Sequence, residues 1–412
     1  MRRCAVEIAD TADWTAMTTA TAPVSPPRAF IPALEGMRGM AALGVLVTHV
    51  AFQTGTSGIS VLGPLLERFD MAVAVFFALS GFLLWRPHAA AAHGLGRAPK
   101  TARYLLHRVV RVMPAYWVVV VFVLLLLPGA AHSANLRVWV SNLFLLQVFV
   151  PLTLTDGLTQ MWSLSVEMAF YLVLPLLAWL VVRLRGPAAR WRVPVLCGLI
   201  AVCLTWNLWP VPTPDAIHSD NWLPAYLPWF AAGMLQAELI HLARPDVRWA
   251  RILSSQPLMW AFALAAFLLS ATEYGGPAGL ERAQPWQYAM KMVLGMILGF
   301  CLLAPLVLRR SGAPHRWLES RTASIFGRWS YGIFVWHLVV LTVVFPVFGI
   351  MPFHGHFLYV LILTTALTLP LAAASFALIE EPARRWAARW DKRTAAARVE
   401  PGAESVETSA VR

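Results

Sequence analysis

Apolar stretches long enough to cross a bilayer follow one another along almost the whole chain, and that recurrence leaves few folds open. A helix needs about 20 residues to span roughly 30 Å of hydrocarbon. Ten such spans can be read, centred on residues 36–54, 70–87, 112–128, 159–182, 193–209, 222–241, 257–272, 287–308, 330–349 and 357–379. Lipid offers no partner to an open backbone N–H or C=O, so the expected fold class is all-α, a polytopic integral membrane protein of about ten transmembrane helices. The stretch 138–151 is too short for a span and reads as an interfacial or re-entrant piece ahead of the fourth helix. Only 13% of the 412 residues are charged and 58% are hydrophobic, which excludes a soluble domain with an ordinary polar surface.

The net charge of +12 could suggest a nucleic-acid partner, but its placement argues otherwise. Counting along the connections, basic residues are alternately crowded and nearly absent. All of the 33 fall on one side except Arg68, Arg137 and Arg282 in the opposite loops and Lys291 inside the eighth span. The positive-inside rule then puts both termini in the cytoplasm. Scarce lysine and abundant alanine suggest a GC-rich bacterial genome, hence a multi-pass protein of the bacterial inner (plasma) membrane. Residues 1–30 and 391–412 read as disordered cytoplasmic tails flanking one membrane domain over 31–390. The first tail lacks the apolar core of a cleavable signal, and Met17 is an alternative start to Met1. Cys4, Cys197, Cys203 and Cys301 show no metal spacing and read as small core residues.

The stretch EGMRGMAALGVLVTHV, residues 35–50, is apolar enough for lipid yet keeps Arg38 and His49. Eleven positions at 100° per residue bring these two to within about 20° of the same helix face, roughly 16 Å apart along the axis. Ionisable groups at such depth face the bundle and mark function. Desolvation favours a neutral His49, which can accept a proton from a hydroxyl, whereas a carboxylate partner would favour the charged ring. The bland reading makes Arg38 a snorkelling topology anchor and His49 a helix-to-helix hydrogen bond.

LEGMRGMAALGVLVTHV resembles the first helix of acyltransferase family 3, the membrane-bound O-acyltransferases of the O-antigen acetylase and macrolide acyltransferase type. The resemblance, opening on the acidic Glu35, continues from about residue 30 to 390. VFFALSGFLLWRP (75–87), RYLLHRVVRVMPAYW (103–117), MWSLSVEMAFYLVLP (161–175), SYGIFVWHL (330–338) and IEEPARRW (379–386) match its later signatures in order. The resemblance implies acyl transfer, acetyl in the first instance, from cytoplasmic acyl-coenzyme A to hydroxyls of glycans, lipid-linked sugars or secondary metabolites, often across the membrane. Some relatives carry an appended SGNH-type domain, which is not expected here.

On this reading His49, Arg38 and Glu167 are the catalytic candidates. Arg103, His107 and Arg111 recur at i, i+4 and i+8, and with Arg108 they form a basic cluster suited to the phosphates of coenzyme A, or one that merely sets topology. Glu167, with Tyr171 one turn on, could orient His49 or pair with an arginine as a strut. Ser80 and Gly81 read as a small pair for close helix packing, a serine acyl-enzyme being disfavoured without a nucleophile elbow. His337, near Tyr331, reads as a lone hydrogen-bonded histidine, and Tyr116, Trp162 and Ser165 belong to the motifs as supporting residues. His354 and His356 lack a third ligand, so no metal and no permanently bound cofactor is expected. His49 would deprotonate the acceptor or become transiently acylated. The alternative is a transporter or flippase with Arg38, His49 and Glu167 as its ion path. Acceptor, acyl length and oligomeric state are not legible.

Overall fold

The helices form because their backbones have no other partner. The computed structural model describes residues 30–58, 62–209, 211–215, 217–243, 247–277, 281, 283–309 and 315–396. Most of the first expected tail, with Met17 and Cys4, and the loop residue Arg282 lie outside them. Every described element is helical. The main ones are α1 (Pro32–Gln53), α2 (Ala72–Ala92), α3 (Thr101–Leu126), α4 (Trp162–Val182), α5 (Arg192–Leu204), α6 (Leu223–Leu242), α7 (Gln256–Ser270), α8 (Pro285–Leu308), α9 (Arg321–Val347) and α10 (Phe357–Ser375). A π-helical turn, Phe376–Glu380, leads into α11 (Glu381–Ala396), so a helix enters the stretch expected to be a disordered tail from residue 391.

All ten expected spans are therefore helices. Seven are long and apolar enough to cross a membrane, or eight if Arg248–Ser254 and α7, bent by 67°, make one span. The remaining two, α1 and α6, have 22 and 20 residues but carry Glu35, Arg38 and His49, and Gln236, Glu238 and His241 respectively. Their length suffices for a crossing; their polar groups lower their hydropathy. The short stretch before α4 does not cross. Its helix Leu136–Leu143 has 8 residues, about 12 Å. It docks on α3, where the Tyr116 hydroxyl donates to the Asn142 carbonyl and Trp117 Nε1 to the Leu143 carbonyl at 2.9 Å. Asn142, fully buried, donates in turn to the Val138 and Thr153 carbonyls at 2.9 and 2.8 Å.

Two helix pairs set the frame, α1 along α9 and α2 along α6. Both approach backbone to backbone. A Cβ at Gly327 would overlap the Glu35 carbonyl, and one at Gly39 would come within 2.8 Å of the Gly327 nitrogen. A Cβ at Gly81 would overlap the Phe230 carbonyl, and one at Gly233 the Ala78 carbonyl. Without a hydrophobic drive between helices in lipid, such close contact is what holds them. Gly81 thus has the packing role expected of it, while its neighbour Ser80 has another.

The arginine-rich helix ends meet at one end of the bundle. Arg192, at the start of α5, reaches Glu238 at 3.4 Å near the end of α6 and the Ala92 carbonyl at 3.3 Å at the end of α2. Arg103, at the start of α3, binds Asp391 of α11 at 2.8 Å. At the opposite end Arg68 donates to the Ser270 and Gly276 carbonyls at 2.6 and 2.7 Å, and Lys291 pairs with Asp70 at 2.6 Å. Cys203 and Cys301 are buried as expected, but Cys197 is exposed, because α5 packs mainly on α6 and leaves its other face open.

Gly81→Val should destabilise the bundle by about 1–3 kcal/mol through overpacking, with a lowered thermal midpoint in detergent. Gly198→Ala, on α5 where a Cβ meets nothing within 4 Å, should leave the midpoint unchanged.

Candidate active site

The α1–α9 contact is parallel and in register: Gly39 faces Gly327, and ten residues further along each helix His49 faces His337. The two imidazole rings lie 5.0 Å apart between centroids, tilted by 58°, with His337 Nε2 at 3.3 Å from His49 Nδ1. His337 is fully buried and His49 half-buried. His337 is therefore not the lone, separately satisfied histidine of the sequence reading; it is the partner of His49.

The surrounding carbonyls fix where the protons sit. His337 Nδ1 lies 2.8 Å from the Phe334 carbonyl and 3.1 Å from that of Ile333, so it must be the N–H donor. Its Nε2 is then an acceptor. His49 Nδ1 lies 2.7 Å from the Val45 carbonyl, so it too carries hydrogen, shared between that carbonyl and His337 Nε2. The chain of donors leaves His49 Nε2 with its lone pair. This assignment follows from the hydrogen-bond network, the ordinary basis for a histidine tautomer.

Arg38 lies toward the arginine-rich end, on a cavity of about 290 Å³ among α1, α2, α3, α4 and α9. Arg108, Arg111, Glu167, Ser80, Tyr171 and Tyr331 also line it, between apolar walls that include Phe76, Phe77 and Phe334. Glu167 accepts from Ser80 Oγ at 2.5 Å and from the Tyr171 hydroxyl at 2.7 Å on the same oxygen. Neither expected role of Glu167 is realised directly: it does not touch His49, and it forms no ion pair within 4.0 Å among the described residues. Its charge still acts on Arg38, as do those of Arg111 and Arg384. Arg38, Arg108 and Arg111 line the cavity with Glu167, and the buried Glu380 carboxyl also acts on Arg38 and Arg111.

The expected basic ridge divides. Arg108 and Arg111 face the cavity, whereas Arg103 is exposed and binds Asp391 together with His107 at 2.7 Å, so it has left the cluster for α11. A helix spreads consecutive basic residues over several faces, and the acid on α11 captures this one. The cavity does not reach His49. Phe334 closes it on that side, 6.1 Å from the His337 ring and edge-on to Phe76 at 6.4 Å. Tyr331 donates to the Val112 carbonyl at 2.8 Å, Ser165 to that of Met161 at 3.5 Å, and Trp162 packs on Tyr226 at 4.9 Å. Tyr116 holds the short segment before α4. Glu35 has its backbone against Gly327, and its charge acts on Arg384.

Sequence reasoning assigned no role to Arg384 or Glu380. Glu380 is 3% exposed, with one carboxylate oxygen unpartnered, and Arg384 is one turn beyond it. Their signal was the IEEPARRW motif after the last span. No group of three or more His, Cys, Asp or Glu able to hold a metal occurs among the described residues.

Comparison with known proteins places the chain in a family. Residues 31–375 match the family described as "Acyltransferase domain", the acyltransferase family 3 of the sequence signatures. The chain is 24% identical over 396 residues to the peptidoglycan O-acetyltransferase OatA of Listeria monocytogenes, covering 87% of this chain and 56% of that one. It is 26% identical over 330 residues to the acyltransferase MdmB of Streptomyces mycarofaciens (77% and 80%), and 25% identical over 340 residues to nodulation protein 10 of Rhizobium leguminosarum (76% and 82%). The chain spans little more than half the length of the peptidoglycan O-acetyltransferases it matches. No solved structure matches it.

In protein labelled with nitrogen-15 histidine, His49 and His337 should both show the Nδ1-protonated pattern. His337→Phe removes only the partner at 3.3 Å and leaves the Val45 carbonyl at 2.7 Å, so His49 should keep the Nδ1-protonated pattern, read from the ring nitrogen shifts.

Proposed function

Because the chain belongs to the acyltransferase-domain family, we propose that it is a membrane O-acyltransferase moving an acyl group, acetyl in the first instance, from acyl-coenzyme A to a hydroxyl of a glycan, glycolipid or small secondary metabolite. The observation that carries this reading is the His49–His337 pair, which holds an imidazole with a free Nε2 deep in a helical bundle. The arginine-rich end faces the cytoplasm of a bacterial cell, where acyl-coenzyme A is available. The donor enters from that end, its anionic part drawn by Arg108, Arg111 and Arg38. Phe334, which closes the cavity on that side, turns aside to admit its acyl end to the histidines, a path about as long as the roughly 16 Å between Arg38 and His49.

At the histidine pair, Nε2 of His49 takes the proton of the acceptor hydroxyl as the oxygen attacks the thioester carbonyl. The carbon–sulfur bond breaks, and the departing thiolate takes the proton back from the imidazolium. The positive charge formed meanwhile is shared along the Nδ1–H bond to the Val45 carbonyl and His337. His337 is thus a positioning residue, and Glu167, tied to Ser80 and Tyr171, offsets the charge of the arginines. Names of relatives that act on peptidoglycan support a cell-envelope acceptor; the apolar length of the bundle supports reach across the membrane.

His49→Ala should lower His49-dependent release of free coenzyme A by roughly 10²–10⁴-fold while the protein still inserts and elutes as wild type. Unchanged turnover would remove His49 from the reaction, and no thiol release even by wild type would favour a transporter. Arg108→Gln and Arg111→Gln should raise KM for the donor about tenfold with a smaller effect on kcat; equal donor dependence would reduce them to topology signals.

A further inference from the structure

The cavity around Arg38 and Arg108 is too small for the whole donor implied by the preceding section. At about 290 Å³ it lies at the lower edge of pockets that take drug-sized ligands. Coenzyme A adds a 3′-phosphorylated adenosine diphosphate to its thin pantetheine arm. A second cavity, of about 490 Å³, opens on the same three helices further toward the arginine-rich end. On α2 the lining moves from Leu83 and Leu84 to His88; on α3 from Arg111 and Arg108 to Thr101; on α4 from Glu167 and Tyr171 to Pro175, Ala178 and Arg183. Each step is one to about three helical turns in the same direction. The two cavities are successive stations along one seam.

The second station has the chemistry of a phosphate site. Arg183 and Arg185 are exposed on its rim; the Arg183 guanidinium lies over Trp179, 3.5 Å from the ring centroid, and Arg185 Nε donates to the Val182 carbonyl at 3.4 Å. Stacking fixes the plane of the fork while leaving its N–H edge open. Neither arginine has an acidic partner within 4.0 Å among the described residues, unlike Arg103, Arg192 and Arg385 nearby. The start of α3 contributes as well: this 26-residue helix has no side-chain cap, so its first N–H groups and positive dipole end are open beside the exposed Thr101.

From this arrangement we infer that the cavity between the ends of α2 and α4 and the start of α3 binds the phosphorylated nucleotide end of the acyl donor, with Arg183 and Arg185 on its 3′-phosphate. This rests on the donor reading above. It assigns the inner arginines to the diphosphate and the pantetheine entrance, and makes the outer pair the residues that distinguish coenzyme A from shorter pantetheine thioesters. A phosphate could also come from an anionic lipid headgroup, since Trp179 is half exposed beside apolar residues of α4. The donor is favoured because this cavity lies next to the inner one along α2, α3 and α4.

The test is binding of coenzyme A, 3′-dephospho-coenzyme A and 4′-phosphopantetheine to the purified full chain in nanodiscs of zwitterionic lipid. Wild type should bind coenzyme A roughly tenfold more tightly than the dephospho form, the worth of charge-assisted contacts to one phosphate. Arg183→Gln/Arg185→Gln should remove that preference and leave phosphopantetheine affinity unchanged. Equal loss for all three ligands, or no loss for coenzyme A, overturns the assignment. So does a preference that disappears when anionic lipid is added to the discs, since the headgroup then owns the site. No binding of any form by wild type would instead strike the donor reading itself.

Discussion

The close approach of α1 and α9 is the contact on which the rest depends. In lipid, helices gain little from hydrophobic burial against one another, so a specific pairing has to come from van der Waals contact and a few hydrogen bonds. Gly39 and Gly327 bring the two backbones together at one level, and because the helices run parallel the same offset recurs at His49 and His337. A separation set by a Leu or Phe at the glycine positions would carry the imidazoles out of hydrogen-bond range. The chemistry of the site is in this sense a consequence of two hydrogen atoms in place of side chains.

The second constraint is charge. Burying a guanidinium without an anion is expensive, and three of them around one small cavity repel one another. Glu167 relieves part of this, and it is itself held by two hydroxyl donors on a single oxygen, Ser80 from α2 and Tyr171 from its own helix. That arrangement leaves net positive potential in an apolar chamber, where fields are less screened than at a surface. Beyond the cavity, pairings such as Arg103 and His107 with Asp391, and Arg192 with Glu238, tie the helix ends together. They mark which basic residues are occupied with structure and which remain open to ligands.

The short segment before α4 follows the same logic at the backbone level. Buried non-helical chain survives only when protein satisfies its polar groups. Asn142, Gln147 and Thr153 are buried there and bond carbonyls of their own segment and of the residue before α4, while Tyr116 and Trp117 of α3 cap the short helix. Tyr116 is thereby explained as scaffold.

Much of the fold was legible from the sequence because span length, hydropathy and the alternation of arginine are one-dimensional quantities. The ten helices, the short segment that does not cross, the family signatures, and the pairing of Arg38 and His49 on one helix all follow from spacing along the chain. The partner of His49 does not. His337 is 288 positions away, and nothing local distinguishes a lone buried histidine from one that faces another across a helix pair. Nor does periodicity tell which arginines of one basic ridge face a cavity: Arg108 and Arg111 do, while Arg103 is drawn to an acid on α11. Sequence determines what must be buried, since that depends on composition within one helix. Only the tertiary structure decides what each buried group meets, because that depends on which backbones can touch.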